Sequence, residues 1–373
     1  MSPRAEIVVD LAAIRHNVRL LKELTGTQMM TVVKADGYGH GLAESASAAR
    51  DGGADWLGVA TIDEAIALRD AGDTGRLLCW LTVPGDDWAA AIDRDVDVTA
   101  YSVAQLDAIA ATGRKARVQL KVDTGLHRGG VPMGEWPDVV ARARQGEEDR
   151  SWTITGIWSH FSSSDEPEDP ANDAQERQFD EALRLAADGG LRPELTHLAN
   201  SAAAILRPSS RRDLVRVGIA SYGLDPAPGI TPDLGLRPAM TARATLAMVK
   251  DIEPGGAVSY GRTWVADGPT TLGLVPVGYG DGLPRVGGNH AEVQVAGRRR
   301  KVRGRISMDQ LVVDLGGEDP GAGADVTIFG AGEHGEPTAT DWAEACGTIS
   351  YEIVTRIGGR FTRRYVDSEK IDT

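Results

Sequence analysis

The chain has 373 residues, with 40 Lys and Arg against 54 Asp and Glu, a formal charge of −14. That balance argues against a nucleic-acid or anionic-membrane partner, and no apolar run approaches the ~20 residues of a membrane span. Length alone predicts roughly two or three domains, enough to bury a core without staples.

The opening MSPRAEIVVDLAAIRHN carries Asp10, Arg15 and His16 where a signal-peptide core would be apolar, so a cytoplasmic protein is expected. EIVVD (6–10) is a strand that could join either domain. From residue 28 to about 218 a pattern repeats: a short β-rich apolar run, a polar or Gly-containing turn, then an Ala-rich amphipathic stretch. The runs are MMTVVKA (29–35), DWLGVA (55–60), RLLCWLT (76–82), DVTAY (97–101), ARVQLKVD (116–123), WTITGIWSH (152–160), ELTHLAN (194–200) and LVRVG (214–218). Between them lie candidate helices such as AESASAARDG, IDEAIALRDAG, VAQLDAIAATG and NDAQERQFDEALRLAADG. Buried strands alternating with one-stripe helices, eight times over, predict a closed (β/α)8 TIM barrel of the α/β class.

The stretch GLDPAPGITPDLGLRP (223–238) holds Pro226, Pro228, Pro232 and Pro238, a density that neither strand nor helix survives. It reads as an interdomain crossing. Beyond it ARATLAMVKDI, TLGLVPVGYG, AEVQVAG, ISMDQLVVDL and ADVTIFG are β-branched runs broken by glycine, and a helix is expected around 341–346. The predicted division is a barrel over 8–230 and a mostly β C-terminal domain over 231–373, which residues 1–7 could join. The run RRRKVRG (298–304) reads as a solvated hairpin face in so acidic a chain. Cys79 and Cys346 stand far apart in no metal-type spacing, so neither disulfides nor a metal is expected.

Active sites of such barrels sit where strands end. The polar residues there are Lys34, Lys121 with Asp123 and Arg128, His160, His197 with Asn200 and Ser201, and Arg216. This is a cluster of cations and imidazoles, and it points to an anionic ligand. Lys34 closes an apolar strand and is followed by a turn with Gly37, Gly39 and Gly41. Its ordinary reading is a lysine snorkelling from the rim; the sharper one is an amine nucleophile whose pKa burial lowers. The loops after the seventh and eighth strands, HLANSAA and RVGIASYG, lie where barrels recurrently bind phosphate. Asn200 and Ser201 are natural helix caps there, and Gly218 lets backbone N–H groups approach an anion. A strand-end lysine, a phosphate cradle and Arg216 together suggest pyridoxal phosphate.

Nine segments then carry a resemblance: VVKADGYGHG, KVDTGLHRGG, GIWSHFSSSDEP, HLANSAA, LVRVGIASYG, VSYGRTW, VGYGDGLPR, RISMDQ and SYEIVTRIG. In this order, from residue 32 to 358, the chain resembles the alanine racemases. The resemblance implies a cytoplasmic, homodimeric, pyridoxal 5'-phosphate-dependent isomerase with composite active sites, acting on alanine by two bases and supplying D-alanine for cell-wall peptidoglycan. Lys34 would be the Schiff-base lysine and the base for the D-enantiomer. Tyr260 would be the base for the L-enantiomer, offered from the partner subunit. Tyr38, Ser201, Gly218, Ile219 and Tyr351 match positions that hold the phosphate. His160 matches the imidazole against the pyridine ring, and Arg216 the guanidinium at its nitrogen. Arg128 matches the group near the phenolic oxygen and the substrate carboxylate, which the Met308 backbone also meets. Tyr279 and Arg285 resemble residues of the substrate access corridor.

Lysine and tyrosine start at about 10.4 and 10, so a two-base mechanism needs positive neighbours or hydrogen bonds to lower them. Ser307 stands where many members carry cysteine, and His127 replaces a small or amide residue. His40 and His197 read as hydrogen-bonding supports. Lys121 and Asp123 alternate to one side of their strand; an ion pair between them is one reading. Carbamylation of Lys121, giving an anion that fixes Arg128, is the other, which the resemblance supports. Rivals are a broad-specificity amino-acid racemase, a decarboxylase of the same architecture and a non-catalytic pyridoxal-phosphate carrier. Decarboxylases of this layout place an acid where Arg216 stands, and carriers lack a second domain.

Overall fold

The computed structural model describes residues 4–371. Strand β1 (Ala5–Asp10) ends in Asp10, whose Oδ1 accepts the Ala12 N–H at 3.0 Å and so caps the helix Leu11–Thr25. The barrel follows: β2 (Gln28–Val32), β3 (Trp56–Val59), β4 (Arg76–Cys79), β5 (Asp97–Ala100), β6 (Ala116–Lys121), β7 (Trp152–Trp158), β8 (Leu195–His197) and β9 (Leu214–Val217). All pair in parallel in the order β8-β7-β6-β5-β4-β3-β2-β9. Asp213 N–H to Thr196 O (3.2 Å) and Arg216 N–H to Ala199 O (3.0 Å) bring β9 against β8 and close the ring. Each predicted run overlaps one of these strands.

Met29, Leu57, Leu77 and Val215 lie in the main core, while their neighbours Met30, Trp56, Leu78 and Leu214 join Leu195 in a separate cluster. Side chains alternate along a strand, so this second cluster is the barrel interior. The same parity sends Gln119 and Lys121 of β6, His197 of β8 and Arg216 of β9 inward. At the strand-start end of the barrel Asp97 is fully buried. It accepts from Arg76 Nη2 (2.9 Å), Arg117 Nε (2.6 Å) and Thr155 Oγ1 (2.7 Å), which ties four strands together.

Residues 224–239 form neither strand nor helix. Asn17 pins this crossing by exchanging two 2.8 Å hydrogen bonds with the Arg237 backbone. The second layer contains β10 (Met240–Thr245), β11 (Met248–Ile252), β12 (Ala257–Val258), β13 (Trp264–Val265), β14 (Thr270–Val275), β15 (Glu292–Val295), β16 (Arg298–Lys301), β17 (Leu311–Asp314), β18 (Asp325–Phe329) and β19 (Thr362–Val366). Its largest sheet runs β16-β15-β18-β10-β1-β19. β1 therefore belongs to this sheet, antiparallel to β10 and parallel to β19, and the chain enters the barrel layer at Leu11. Of the stretch 1–7, residues 1–3 lie outside the described residues. The helix Ala339–Cys346 falls where expected, and a further helix, Ser350–Arg356, follows it. Arg298 and Arg300 of the basic run both pair with Glu318 within the domain. Among the described residues no helix is long and apolar enough to cross a membrane.

Candidate active site

A cavity of about 680 Å³ opens where the barrel strands end. Lys34, Tyr38, Lys121, Arg128, His160, Ser201, Arg216, Gly218, Ile219 and Tyr351 all line it.

Lys34 leaves β2 and enters a turn that runs left-handed over four residues: Ala35, Asp36, Gly37 and Tyr38 have φ of 53°, 54°, 61° and 53°. Each non-glycine residue held so costs about 1–2 kcal/mol, so contacts from outside must hold the turn. Glu64 Oε1 accepts the Ala35 N–H at 2.7 Å. Arg363 of β19 donates to Asp36 Oδ2 (2.7 Å) and to Gly39 O (3.0 Å). His40 Nδ1 reaches Gly37 O (3.0 Å) and Tyr38 O (2.9 Å); both are acceptors, so Nδ1 carries the proton. The supporting role read for His40 is thus to brace the turn. The Lys34 ammonium lies 5.8 Å from the Trp80 ring centroid, and burial, with Arg128 and Arg216 adding to it against Glu64, lowers its pKa.

Arg216 is buried under the floor of the cavity. Its Nη2 donates to Ser159 O (2.7 Å), Leu198 O (3.0 Å) and His160 Nδ1 (3.1 Å), and its Nη1 to His197 Nδ1 (2.8 Å). A guanidinium has no acceptor, so both imidazoles present bare Nδ1 atoms and carry their protons on Nε2. His197 Nε2 then donates to Gln119 Oε1 at 2.7 Å. Burial and Arg216 drive both histidines well below the ordinary imidazole range, so both are neutral at pH 7. Burial pushes Arg216 down to about 9, which leaves it charged at that pH.

At the end of β9 Ser201 Oγ accepts the Gly218 N–H at 2.9 Å, and Tyr38 packs against Gly218. A Cβ on residue 218 would lie 2.3 Å from Tyr38 Oη, so any larger residue must displace that hydroxyl. Asn200 is the cap of the helix Ser201–Leu206, through Ala203 N–H (3.1 Å); Ser201 is freed from capping to face Gly218. Burial raises the pKa of Tyr38 and of Tyr351, which keeps both as hydroxyl donors.

Lys121 does not pair with Asp123. Asp123 Oδ1 instead accepts the Gly125 and His127 N–H groups at 3.0 and 3.1 Å, and Oδ2 lies 3.3 Å from His127 Nδ1. His127 thus closes an acid-capped turn ahead of Arg128. The Lys121 ammonium sits over Trp158 (4.7 Å) and Tyr101 (5.7 Å). Burial, then Arg216 and Arg128, lower its pKa to about 8.

Tyr260, Tyr279, Arg285 and Met308 do not reach this cavity. Tyr260 and Met308 stand on the second domain, 71% and 54% exposed.

The alanine racemase N-terminal domain model matches residues 9–226 and the C-terminal domain model residues 239–365. The alanine racemase of Thermobifida fusca is 50% identical over 370 residues, 98% of this chain and 99% of its own. The structure of the alanine racemase from D-cycloserine-producing Streptomyces lavendulae superposes with a TM-score of 0.96 at 47% identity, covering 98% of each chain. That from Streptomyces coelicolor gives 0.95 at 50% identity, covering 97% of this chain and 98% of the other.

The chain belongs to the alanine racemase family. It is an amino-acid racemase, an isomerase that interconverts L-alanine and D-alanine. Within its cavity three aromatic walls were not anticipated: Trp80, Tyr101 and Trp158. Each ends an apolar strand, where it resembles core; only its place at the strand end distinguishes it. The Gln119–His197–Arg216 chain was also missed as a unit, although the inward parity of all three could have found it.

Proposed function

We propose that this racemase holds pyridoxal 5'-phosphate on Lys34 and works as a homodimer by a two-base mechanism. The supporting observation is a half-buried lysine with a lowered pKa, facing a cavity that also presents Arg216, Ser201 and the Gly218 backbone. The residues fit that group. A phosphate monoester carries about −1.5 to −2 at neutral pH and takes up hydrogen-bond donors, and the Tyr38 and Tyr351 hydroxyls with the 218–219 backbone provide them. Arg216 keeps N–H groups beyond those used on His160, His197 and the two carbonyls, and these would hold the pyridine nitrogen. It would surrender no proton readily there.

Bound pyridoxal phosphate supplies the conjugated electron sink that lets an amino acid lose its α-proton. Lys34, whose lowered pKa leaves more of it as the free amine near neutral pH, exchanges that proton on the face of the D-enantiomer. The opposite face needs a second group, and neither imidazole suits it because both are tied to Arg216. Tyr260 of the partner subunit takes this role, the Met308 backbone of the partner meets the substrate carboxylate with Arg128, and Tyr279 and Arg285 line the approach. Their exposure on the single chain supports a composite, symmetric pairing. Lys121, left without an acid beside Arg128, reacts as the neutral amine with carbon dioxide, releasing a proton and forming a carbamate that fixes Arg128. The reaction runs in the cytoplasm and supplies D-alanine to cell-wall peptidoglycan.

The test is incubation of the purified protein with L-alanine, L-serine and L-lysine, following product chirality and visible absorbance together. Racemic alanine with a coloured protein is expected. Equal turnover of serine and lysine would make the enzyme broad in specificity, and racemisation by a colourless, cofactor-free protein would overturn the pyridoxal-phosphate reading.

A further inference from the structure

The turn that carries Lys34 begins with the Ala35 amide, and that amide points to a carboxylate. Glu64 Oε1 accepts it at 2.7 Å, while Glu64 Oε2 accepts the Ala60 N–H (2.9 Å) and the Thr61 N–H (3.2 Å). One side chain therefore joins the end of β2 to the end of β3. Glu64 is also the third helical residue of Ile62–Asp70, in a capping box with Thr61. A capping box needs only one carboxylate oxygen. The second oxygen is spent on the turn after the adjacent strand β2, which helix capping does not explain.

The charge matters as well as the bond. The charged groups acting on the Lys34 amine are Arg128 and Arg216, which oppose its protonation, and Glu64, which favours it; Lys121 lies on the same cavity. Cys79 and Tyr222, both buried, feel the same carboxylate and are held protonated. On the outer side of the turn Arg363 pairs with Asp36. Glu64 is thus an acid set against the cations around Lys34, and it bonds to the residue that follows the lysine.

We propose that Glu64 is a positioning residue for Lys34: its bidentate bridge sets the start of the left-handed turn, and so the aim of the amine. The inference rests on the reading of Lys34 as the cofactor lysine. No contact places Glu64 among the cavity-lining residues, so it acts through Lys34.

Glu64→Gln isolates this role, because an amide accepts with one oxygen only and cannot serve Ala35 and the capping amides together. Thr61→Ala, which removes the cap and leaves the Ala35 bond, is the structural control. In the holoenzyme, equilibrium dialysis should show pyridoxal 5'-phosphate bound about tenfold more weakly in Glu64→Gln, the scale of one charge-assisted hydrogen bond. kcat from D-alanine should fall by a similar factor with KM within twofold. The acidic limb of the kcat profile should move to lower pH, since loss of the negative charge lowers the lysine further. Thr61→Ala should lose thermal stability and change none of these. Glu64→Gln with only the stability loss of Thr61→Ala, and with affinity, kcat and pH limb unmoved, would overturn the proposal. Should Glu64→Gln not fold, Glu64→Asp keeps the charge and shortens the reach; unchanged cofactor affinity there overturns it equally. Borohydride reduction of the wild-type holoenzyme and peptide mapping separate the two readings. A pyridoxyl label on Lys34 upholds the site whatever Glu64 does, and a label on another lysine refutes the site itself.

Discussion

Carbon dioxide should stabilise this protein, and through one residue. Lys121 has no carboxylate partner, and burial beside Arg216 and Arg128 lowers its pKa from the usual 10.5 to about 8. That difference is worth about 3 kcal/mol, since each tenfold change in proton affinity is about 1.4 kcal/mol. The folded pKa is the lower one, so between pH 8 and 10.5 the unfolded chain binds more protons and stability rises with pH. Below pH 8 the full penalty is present. Above about 10.5 it is gone, because the amine is neutral in both states.

Carbamylation removes the penalty at neutral pH, because the nitrogen no longer accepts a proton and the added anion faces Arg128. Urea unfolding at pH 7, with protein and cofactor concentrations fixed, should therefore show wild type less stable in CO2-stripped buffer than in bicarbonate. The expected gap is about 3 kcal/mol, or on the order of a hundredfold in the unfolding constant. The gap should close as the stripped sample is taken to pH 10.5, and Lys121→Met should not respond to bicarbonate at all. Wild type with the same curve in both buffers at pH 7, or Lys121→Met responding as wild type does, would refute the reasoning.

Gly218→Ala should weaken pyridoxal-phosphate binding by tenfold or more, because the new methyl meets Tyr38 Oη at 2.3 Å and must displace it at about 1–3 kcal/mol; equilibrium dialysis reads this, and unchanged affinity would remove Gly218 from the cradle. Tyr260→Phe should keep a coloured, folded protein while racemisation falls at least ~10²-fold. Mixing inactive Lys34→Ala and Tyr260→Phe subunits should then restore one working site per heterodimer, and no recovery after verified exchange would make each chain self-sufficient. Asp97→Asn should cost about 1–3 kcal/mol in denaturant unfolding, the scale of hydrogen bonds to a charged group, since Arg76 and Arg117 keep Glu194 and Asp95 as partners; a loss within ~0.5 kcal/mol would show that the strand-start network is dispensable.

The barrel was legible because its strands announce themselves locally: apolar runs with inward and outward parity, each followed by an amphipathic stretch. The membership of β1 was not legible. EIVVD has the same texture wherever it pairs, and its partners β10 and β19 lie more than 200 residues away in sequence. Lys34, His160 and Arg216 could be found as polar residues ending apolar strands, whereas Trp80 and Tyr101 end strands as inconspicuous aromatics. Parity placed Lys121 and Asp123 on one side of β6, yet it could not tell that Asp123 would turn to the Gly125 and His127 amides, a local claim stronger than a flexible lysine makes. Glu64 looked like half of a capping box, which it is. Its other half is a bond to a different strand, and no spacing rule reports that.

The cavity's charges give a physical reason for an anion to bind at this place in the fold. Lys121 and Arg216 are buried, Lys34 is half-buried and Arg128 stands at the rim; among the described residues none of the four has a carboxylate within 4 Å. The two histidines that could have shared the charge are held neutral by burial and by Arg216. Gathering like charges in a partly desolvated space costs free energy that a dianion entering the cavity returns. The stabilisation appears as binding: a ligand at a thousand times its Kd stabilises the folded state by about 4 kcal/mol. Arg128 and Arg216 add to burial in lowering the Lys34 pKa, so groups that attract an anion also help leave the amine beside it free to accept a proton. Glu64 bears on that compromise from behind the turn, opposing the cations on the lysine without entering the space the anion would fill.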